Sequence, residues 1–483
     1  MKKLVCVLFS LILLVAGLSG CMTKIDEDDI GKGNEGFVGE IGSGDLPSDF
    51  AGELSVACTN ADSERAAMEA FIESFNKKYP NIIVTPTYLE AGTYISRIAN
   101  VARAASSLGR HDEMYDVFWL AQDYVNGLYE IDACQPLDEV IEADDEVSKE
   151  DFVDLSVEVS QVNGKMYMMP RDYNQVVMYY NKDIFEAAGV AEPYDGMPGD
   201  EFVDMLAQLR ANLANSTATN EYGLKYSDMP FLIDGNVCWD SFCWPLLKNF
   251  GAQIVDEEGE VVFDSEETRE CISFWKNLID EGYACTVSTG KSAGGAQFML
   301  QNAAILFQSR ASLSNILNRV PEDEIYGVPN LGVVSVPNFS GGDYAVGGGA
   351  SGYSIYPHTS NAKEAWAFVK HIVSVEGQNA YAATGNGVPV LKSLLEEDSA
   401  VWITWAEENI DPNFNHDAFV YEMDSVTSTR EFFAFIPVAA QNSVVACIDE
   451  AFTNAIAQLT QSGFDQMIRE AAARMSIYIA QNS

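Results

Sequence analysis

Apolar and polar positions alternate in a way that predicts an α/β arrangement from about residue 52 onward. A short apolar run at residues 53–58 predicts a strand, and apolar residues at helical spacing between 62 and 78 predict a helix capped by Asp62 or Ser63. A second strand is predicted at 82–89. A strand, a helix and a strand in this order form a β-α-β unit, and such units build parallel sheets.

Apolar runs typical of strands and apolar residues at helical spacing continue to alternate towards the C-terminus. A helix is predicted at 94–108, a strand at 116–120, and a helix at 124–129 that Asp123 is placed to cap. Asn361 and Glu364 have the spacing of a capping box. Further helices are predicted at residues 201–213, 268–280, 362–375 and 443–461. The pattern is therefore α/β throughout the folded part.

The N-terminal residues follow a different pattern. Lys2 and Lys3 precede an apolar stretch at 4–15 that is too short to hold a chain stably across a bilayer. It leads to the run Leu-Ser-Gly-Cys ending at Cys21, which resembles the lipobox of bacterial lipoproteins. We therefore expect residues 1–20 to be a lipoprotein signal peptide and Cys21 to carry the lipid. The alternative is an ordinary secretory signal that happens to end in a cysteine.

A flexible linker is predicted after this signal. Residues 21–51 are rich in Gly, Asp and Glu and have no apolar period, so they cannot bury enough surface to fold. The folded part is expected to begin near Gly52. With two acyl chains on Cys21, it would stay close to the extracellular face of the bacterial cell membrane.

Composition and charge describe a large acidic globular protein. The chain has 483 residues, 47% of them hydrophobic, and a formal net charge of −44. This length is enough for two or three domains. Phosphate contacts need a basic face, so nucleic-acid binding is excluded, and adhesion to anionic lipid is disfavoured. Contact with the membrane is therefore expected through the lipid anchor only.

The spacing of cysteines and histidines does not indicate a metal site. The nine cysteines lack the Cys-x-x-Cys spacing, and none of the four histidines has a partner at ligand spacing. Disulfides between Cys238 and Cys243, or between Cys271 and Cys285, are conceivable, and the sequence leaves both open.

The sequence does not support a catalytic motif. Gly347-x-Gly349-x-x-Gly352 fits the dinucleotide-binding pattern, but residues 353–356 are predicted to form a strand where that motif needs a helix. A Gly-x-Ser-x-Gly elbow is absent from the sequence. We expect a protein that is not an enzyme and needs no cofactor.

One segment points to a known family. Residues 162–189 begin Val-Asn-Gly-Lys-Met-Tyr-Met-Met-Pro and end Tyr-Tyr-Asn-Lys-Asp-Ile-Phe-Glu-Ala-Ala-Gly. This run resembles the signature of the extracellular solute-binding proteins of sugar-type ABC importers. The glycine-rich segment 347–354 and the turn at 387–390 also resemble this family. The Thr-Trp pair that usually follows the signature is absent from 192–202, which puts the packing of the second lobe in doubt.

The resemblance implies a fold and its division into lobes. The fold would be an α/β, two-lobed, periplasmic-binding-protein-like fold with hinge strands between the lobes. Lobe 1 would comprise residues 52–168 plus about 308–375. Lobe 2 would comprise residues 169–307 plus about 376–483.

The resemblance also implies a function. A monomer would capture a mono- or oligosaccharide between its lobes and deliver it to the permease subunits of an ABC importer. Which sugar it binds, and whether it binds another polar solute, stays open. A lipid-anchored glycan hydrolase, and a ligand-sensing protein that is not coupled to transport, are the alternatives.

Candidate ligand-binding residues lie at predicted strand ends and in an aromatic cluster, because sugars need hydrogen-bonding groups and flat apolar faces. They are Asn60, Gln122, Asp123, Asp172, Tyr173, Asn174, Trp239, Asp240, Trp244, Arg310, Gly348 and Gly349. Several have an equally simple structural role. Asn60 and Asp123 could cap helices, the tryptophans could belong to the core of lobe 2, and Arg310 could form a salt bridge at the hinge.

Overall fold

The computed structural model describes residues 45–317, 327–396, 399–433 and 435–482. The predicted signal peptide, the lipidation site Cys21 and the linker up to residue 44 lie outside the described residues. Strands are β1 Gly52–Thr59, β2 Ile82–Leu89, β3 Val117–Ala121, β4 Gln161–Val162, β5 Lys165–Met166, β6 Met169–Pro170, β7 Asn174–Asn181, β8 Ile233–Asp234, β9 Ile305–Ser309, β10 Leu331–Ser335, β11 Val346–Gly349, β12 Ser351–Ile355 and β13 Val426–Thr427.

Helices connect and cover these strands. They are α1 Asp62–Lys78, α2 Tyr94–Leu108, α3 Val125–Tyr129, α4 Asp138–Ala143, α5 Asp154–Val159, α6 Lys182–Ala188, α7 Gly199–Leu213, α8 Asp240–Asn249, α9 Glu266–Asp280, α10 Val287–Ala293, α11 Ala296–Met299, α12 Leu313–Leu317, α13 Ala362–Ile372, α14 Val375–Ala382, α15 Lys392–Leu395, α16 Val401–Asn409, α17 Thr429–Phe433, α18 Val438–Ile456 and α19 Gln461–Asn482.

The first sheet confirms the predicted β-α-β unit. Its strand order is β2-β1-β3-β12-β6. Strands β1 and β2 run parallel over their whole length, and β12 runs antiparallel to β3. Helix α1 buries Met68, Phe71 and Phe75 against this sheet, which is the helical spacing that the sequence shows.

The second sheet has the order β13-β11-β7-β9-β8, and β10 also pairs with β7. Strand β7 is buried along nearly its whole length because it is paired on both edges and covered by helices. The chain passes between the sheets at residues 171–173, after β6, and at Ala350, between β11 and β12. The return segment expected near 308–375 therefore contains strands of both sheets, since β10 and β11 belong to the second and β12 to the first.

The helix caps differ in part from those predicted. Ala61 is the N-cap residue of α1 and Asp62 lies in the first turn, where its negative charge suits the helix dipole. Asn181 caps α6 by accepting a hydrogen bond from the Asp183 amide. The capping box at Asn361 does not form, because the Asn361 side chain donates to Asp116 instead, at 3.2 Å.

Two predicted helices have different bounds. The segment 362–375 is divided, because α13 ends at Ile372 and Ser374 then caps α14 by accepting from the Gly377 amide. The segment 443–461 lies largely within α18, which begins five residues earlier, at Val438. Within the described ranges no helix is long and apolar enough to cross a membrane.

The last residues of the predicted linker contact the fold. Asp45 pairs with Lys78 at 2.6 Å and with Lys370 at 3.2 Å, and these two cations lower the pKa of Asp45 although burial opposes them. Leu46 and Phe50 pack against the core beneath the first sheet. A linker expected to be free up to residue 51 is therefore attached from residue 45, because it carries two apolar anchors and a paired carboxylate.

The described cysteines are all buried and unpaired, namely Cys58, Cys134, Cys238, Cys243, Cys271, Cys285 and Cys447. Neither of the conceivable disulfides is formed. Burial raises the pKa of the Cys238 thiol to about 12, so it behaves as an apolar core residue at neutral pH.

Candidate binding site

A cavity of about 310 Å³ opens between the two sheets. One wall comes from the end of β3 and the turn after it, and the other from β7 and the start of α8. The two crossing segments, at 171–174 and 348–351, line its base. The cavity therefore lies where the ends of several strands meet, as ligand sites in α/β proteins commonly do.

Each wall contributes one indole ring. Trp119 comes from β3 and Trp239 directly precedes α8. The Trp119 ring packs edge-on against Tyr94, with ring centroids 5.7 Å apart, and both tryptophans are only partly buried. Indole faces on opposite walls can cover the apolar faces of a sugar ring.

Two buried polar atoms of the cavity residues have no hydrogen-bond partner among the described residues. They are Nε1 of Trp119, a donor, and Oδ1 of Asn174, an acceptor. Buried polar groups are nearly always hydrogen-bonded, so such atoms need a partner that the described part of the chain does not supply. A ligand with hydroxyl groups could satisfy both, since a hydroxyl donates and accepts.

Gln122 joins the lobe 1 wall to the crossing segment. Its Nε2 donates to the carbonyl of Gly348 at 3.3 Å, and its Oε1 accepts from the amide of Ala350 at 3.3 Å. A Cβ on Gly349 would lie 1.8 Å from Oε1, and the residue has a φ of +154°, which suits glycine. The predicted binding residues Gln122, Gly348 and Gly349 thus lie together at the cavity, with Gln122 holding the crossing segment.

A buried ion cluster forms the base. Arg171 donates to both carboxylate oxygens of Glu64 at 2.6 Å and to Asp172 at 3.2 Å. Asp172 also accepts from the amide and the hydroxyl of Ser351, at 2.8 and 3.0 Å. The predicted residue Asp172 lines the cavity, but its oxygens are committed to the crossing segments and to Arg171.

Two carboxylates come from the segments that carry the indole rings. Asp123 follows β3 and lines the cavity, and burial raises its pKa even though it keeps an exposed face in the cleft. Asp240 follows Trp239, and burial raises its pKa to about 6, helped by the charges of Asp123 and Asp449. Asp123 does not cap α3, because the structure has Tyr124 at that position and directs the carboxylate to the hydroxyl of Thr429.

The start of α17 bridges the lobes beside the cavity. The Thr429 hydroxyl donates to Asp123 and accepts from Gln122 Nε2, the latter at 3.3 Å. Arg430 donates to the carbonyl of Val159 at 2.8 Å and to Oδ1 of Asn126 at 3.1 Å. Strand β13, just before α17, belongs to the second sheet, so these bonds run from one lobe to the other.

Five candidate residues do not line the cavity, namely Asn60, Tyr173, Trp244, Arg310 and Asp240. Asn60 is exposed beyond the end of β1. Tyr173 points into the core and donates to Gln175 at 2.8 Å. Trp244 is 1% exposed and packs on Phe432 and Phe433, because it lies on the inner face of α8.

Arg310 is the fourth of these residues. It is fully buried, donates to the carbonyl of Trp402 and stacks on Trp402 and Phe419 at 5.2 and 5.0 Å. It forms no ion pair with a described residue, and burial lowers its pKa to about 10. The hinge salt bridge considered for it is therefore not seen among the described residues.

Trp119 and Glu64 line the cavity but were not among the candidates. Trp119 lies in a strand that is apolar throughout, so nothing in the sequence separates it from the core. Glu64 is one of several acids at the start of α1. Its pairing with Arg171, 107 residues away, is invisible to local patterns.

A larger hollow lacks these features. It has a volume of about 500 Å³, lies beside Asp183, Glu186 and Glu221 and has no tryptophan in its lining. Within the part of the chain that the structure describes, no group of three or more Asp, Glu, His or Cys residues could hold a metal ion.

Comparison with known families gives a match over most of the chain. The family model described as bacterial extracellular solute-binding protein matches residues 70–408. Curated proteins of Brucella abortus, described as candidate binding proteins, are 23% identical over 250 residues. That stretch covers 51% of this chain and 56% of those relatives, so the match spans about half the length of each.

Solved structures share the fold at low sequence identity. The GacH receptor of Streptomyces glaucescens, determined unliganded and with acarbose, gives a TM-score of 0.66 at 21% identity, covering 90% of this chain and all of the other. The sugar-binding protein MalE of Xanthomonas citri gives 0.67 at 15%, covering 89% and 98%. UgpB of Mycobacterium tuberculosis, in complex with glycerophosphocholine, gives 0.68 at 17%, covering 89% and 99%.

Proposed function

The chain belongs to the family of bacterial extracellular solute-binding proteins, and from this premise we propose that it captures a carbohydrate between its two lobes and delivers it to the permease of an ABC importer. The observation that carries the proposal is the cavity with an indole on each wall, Trp119 and Trp239. The unpartnered atoms on Trp119 and Asn174 support a ligand rich in hydroxyl groups.

We assign the lobes by strand pairing. Lobe 1 would hold β1 to β6 and β12 with their helices, and lobe 2 would hold β7 to β11 and β13. The ligand would contact both lobes and favour the arrangement in which they are close, by its differential affinity for that state. The working step of such a protein is closure around the ligand rather than chemistry.

We also propose that the protein works at the outer face of the cell membrane. The lipobox-like run ending at Cys21 supports a lipid anchor. Attachment of residues 45–51 to lobe 1 would leave a tether of 22–44 between anchor and fold. The protein would act as a monomer, as the closed site needs no second copy.

A polar solute other than a sugar is the second candidate. UgpB has the same fold and binds glycerophosphocholine. The indole pair could also contact a quaternary ammonium group, since such groups are recognised by aromatic rings. The hydrolase and the ligand-sensing alternatives have no specific observation in their favour.

Thermal unfolding of the purified mature protein with a panel of solutes tests the proposal. The panel contains mono- and oligosaccharides of the gluco, galacto and manno series, together with glycerophosphocholine. A bound ligand raises stability by RT ln(1 + [L]/Kd), so at a hundredfold excess over Kd it contributes about 2.7 kcal/mol. Stabilisation by a saccharide that is recovered uncleaved supports the proposal, whereas stabilisation by glycerophosphocholine alone, or cleavage of the saccharide, contradicts it.

A further inference from the structure

We propose that the cleft selects its carbohydrate by charge, preferring a sugar that carries a protonated amine to the neutral form and rejecting uronic acids and sugar phosphates. Asp123 and Asp240 would be the residues that determine this specificity. The inference rests on the proposed function, because it concerns the ligand of the same cavity.

The first argument is the lack of a cation for an anionic ligand. Among the described residues, Arg171 is the only guanidinium or ammonium group that lines the cavity. Its Nε is bound to Asp172, and its Nη1 and Nη2 are bound to Glu64. Because all three nitrogens donate to carboxylates, the guanidinium group of Arg171 is not free to form a bidentate pair with a ligand carboxylate or phosphate.

The second argument is the negative charge that remains. Glu64, Asp123 and Asp172 line the cavity against the single guanidinium of Arg171. Removing an anion from water into such a site would be costly, because it would be unpaired and repelled. A ligand with a positive group would instead gain from the same charges.

The third argument concerns where a positive group would lie. Asp123 lines the cavity and keeps an exposed face, and Asp240 directly follows Trp239, which lines the other wall. The charge of Asp123 contributes to the raised pKa of Asp240, so the two carboxylates repel each other. An ammonium group between them would relieve their repulsion.

Neighbouring cations offset only part of this charge. Arg430 lies near Asp123 and lowers its pKa against the effect of burial, but the Nη groups of Arg430 donate to the carbonyl of Val159 and to Asn126 and do not form an ion pair with Asp123. Lys291 is paired with Asp449 at 3.2 Å, which leaves Asp240 as the uncompensated member of that group. Among the described residues, neither Asp123 nor Asp240 therefore forms an ion pair, although Arg430 lies near the first.

Matched sugars test the proposal. Calorimetric titrations at pH 7 would compare three compounds in each of the gluco, galacto and manno series: the neutral disaccharide, its 2-amino form and its uronate. In the series that binds, we expect the amine to bind most tightly, the neutral sugar less tightly and the uronate most weakly. Each step should change Kd by about tenfold, which is the effect of one partly screened charge pair. A uronate that binds as tightly as its neutral parent would overturn the proposal.

Charge-neutral variants separate this proposal from the proposed function. In Asp123→Asn and Asp240→Asn, the ratio of the affinity for the amine to the affinity for the neutral sugar should fall about tenfold. Asp112→Asn, at an exposed turn of lobe 1, is the matched control and should leave the order unchanged. An unchanged preference in both cleft variants contradicts the charge selection alone, whereas the absence of binding in every series contradicts carbohydrate binding itself.

Discussion

At the scale of single residues, burial separates Trp239 from Trp244, which the sequence places in one aromatic cluster. Trp239 lines the cavity and is partly exposed, whereas Trp244 and Trp275 are 1% and 3% exposed. Trp244 packs on Phe432 and Phe433, and Trp275 packs on Phe242 with ring centroids 5.4 Å apart. We therefore expect Trp239 to contribute to ligand binding, and Trp244 and Trp275 to contribute to the stability of the fold.

Alanine substitutions of these tryptophans test this division. Trp239→Ala should weaken carbohydrate binding by about 2 kcal/mol, roughly thirtyfold, because a stacking face is lost, while the fold persists. Trp244→Ala and Trp275→Ala should each lower the free energy of unfolding by about 3 kcal/mol or more, since they leave cavities in the core of lobe 2. Titration calorimetry and chemical denaturation measure the two effects. Unchanged binding by Trp239→Ala would remove this ring from the site.

Glycine is required at one position of the crossing segment. Gly349→Ala would bring a Cβ to 1.8 Å from Gln122 Oε1 at a φ of +154°. Gln122 would have to leave its bonds with the segment, so we expect a loss of about 2 kcal/mol in unfolding free energy and weaker binding. Gly127→Ala is the control, because it lies in α3 with no atom within 4 Å of the new Cβ. It should be neutral or slightly stabilising, and equal losses in both variants would contradict the account.

A buried histidine should make the protein sensitive to mild acid. Burial lowers the pKa of His371 to about 4, and its ring bonds to the Ser74 hydroxyl at 2.9 Å. The unfolded chain binds a proton near pH 6.5 and the folded one only near pH 4, so the stability contributed is present above 6.5 and is lost as the pH falls between these values. Denaturation at pH 7 and pH 4.5 should show a smaller loss in His371→Gln than in the wild type. Identical losses would mean that His371 does not contribute.

At the scale of elements, α17 holds lobe 2 against the turn that follows β3. Thr429 is 5% exposed and bonds to Asp123 and Gln122, and both of these residues line the cavity. Bonds between lobes exist only while the lobes are close, so they favour that arrangement before any ligand arrives. The same contact would also align two binding residues.

Removing the Thr429 hydroxyl should favour separated lobes. Thr429→Val keeps the shape of the side chain but loses both bonds, so we expect a larger radius of gyration without ligand and binding weakened about fivefold, which corresponds to roughly 1 kcal/mol. Thr404→Val is the control, because its hydroxyl bonds only within α16, to the carbonyl of Ala400. Small-angle scattering measures the first effect and calorimetry the second. A radius of gyration unchanged from the wild type would contradict the role given to α17.

At the scale of the whole molecule, the sequence predicts what depends on local periodicity and misses what depends on long-range contacts. Strand β2 and helix α2 fall where their apolar periods place them. The contact of Thr429 with Asp123 joins residues 306 apart, so no local pattern reveals it. Arg310 carries a charge but is fully buried, because aromatic rings rather than carboxylates surround it. These are the features that only the fold can bring together.

The central claim is that a carbohydrate binds between the lobes, in contact with both indole rings. A crystal structure of the mature protein with the saccharide that stabilises it most tests this claim directly. The account predicts a sugar ring between Trp119 and Trp239, with hydroxyl groups bonded to Asn174 Oδ1 and Trp119 Nε1. A saccharide bound outside this cavity, for example in the hollow beside Asp183 and Glu186, would contradict it.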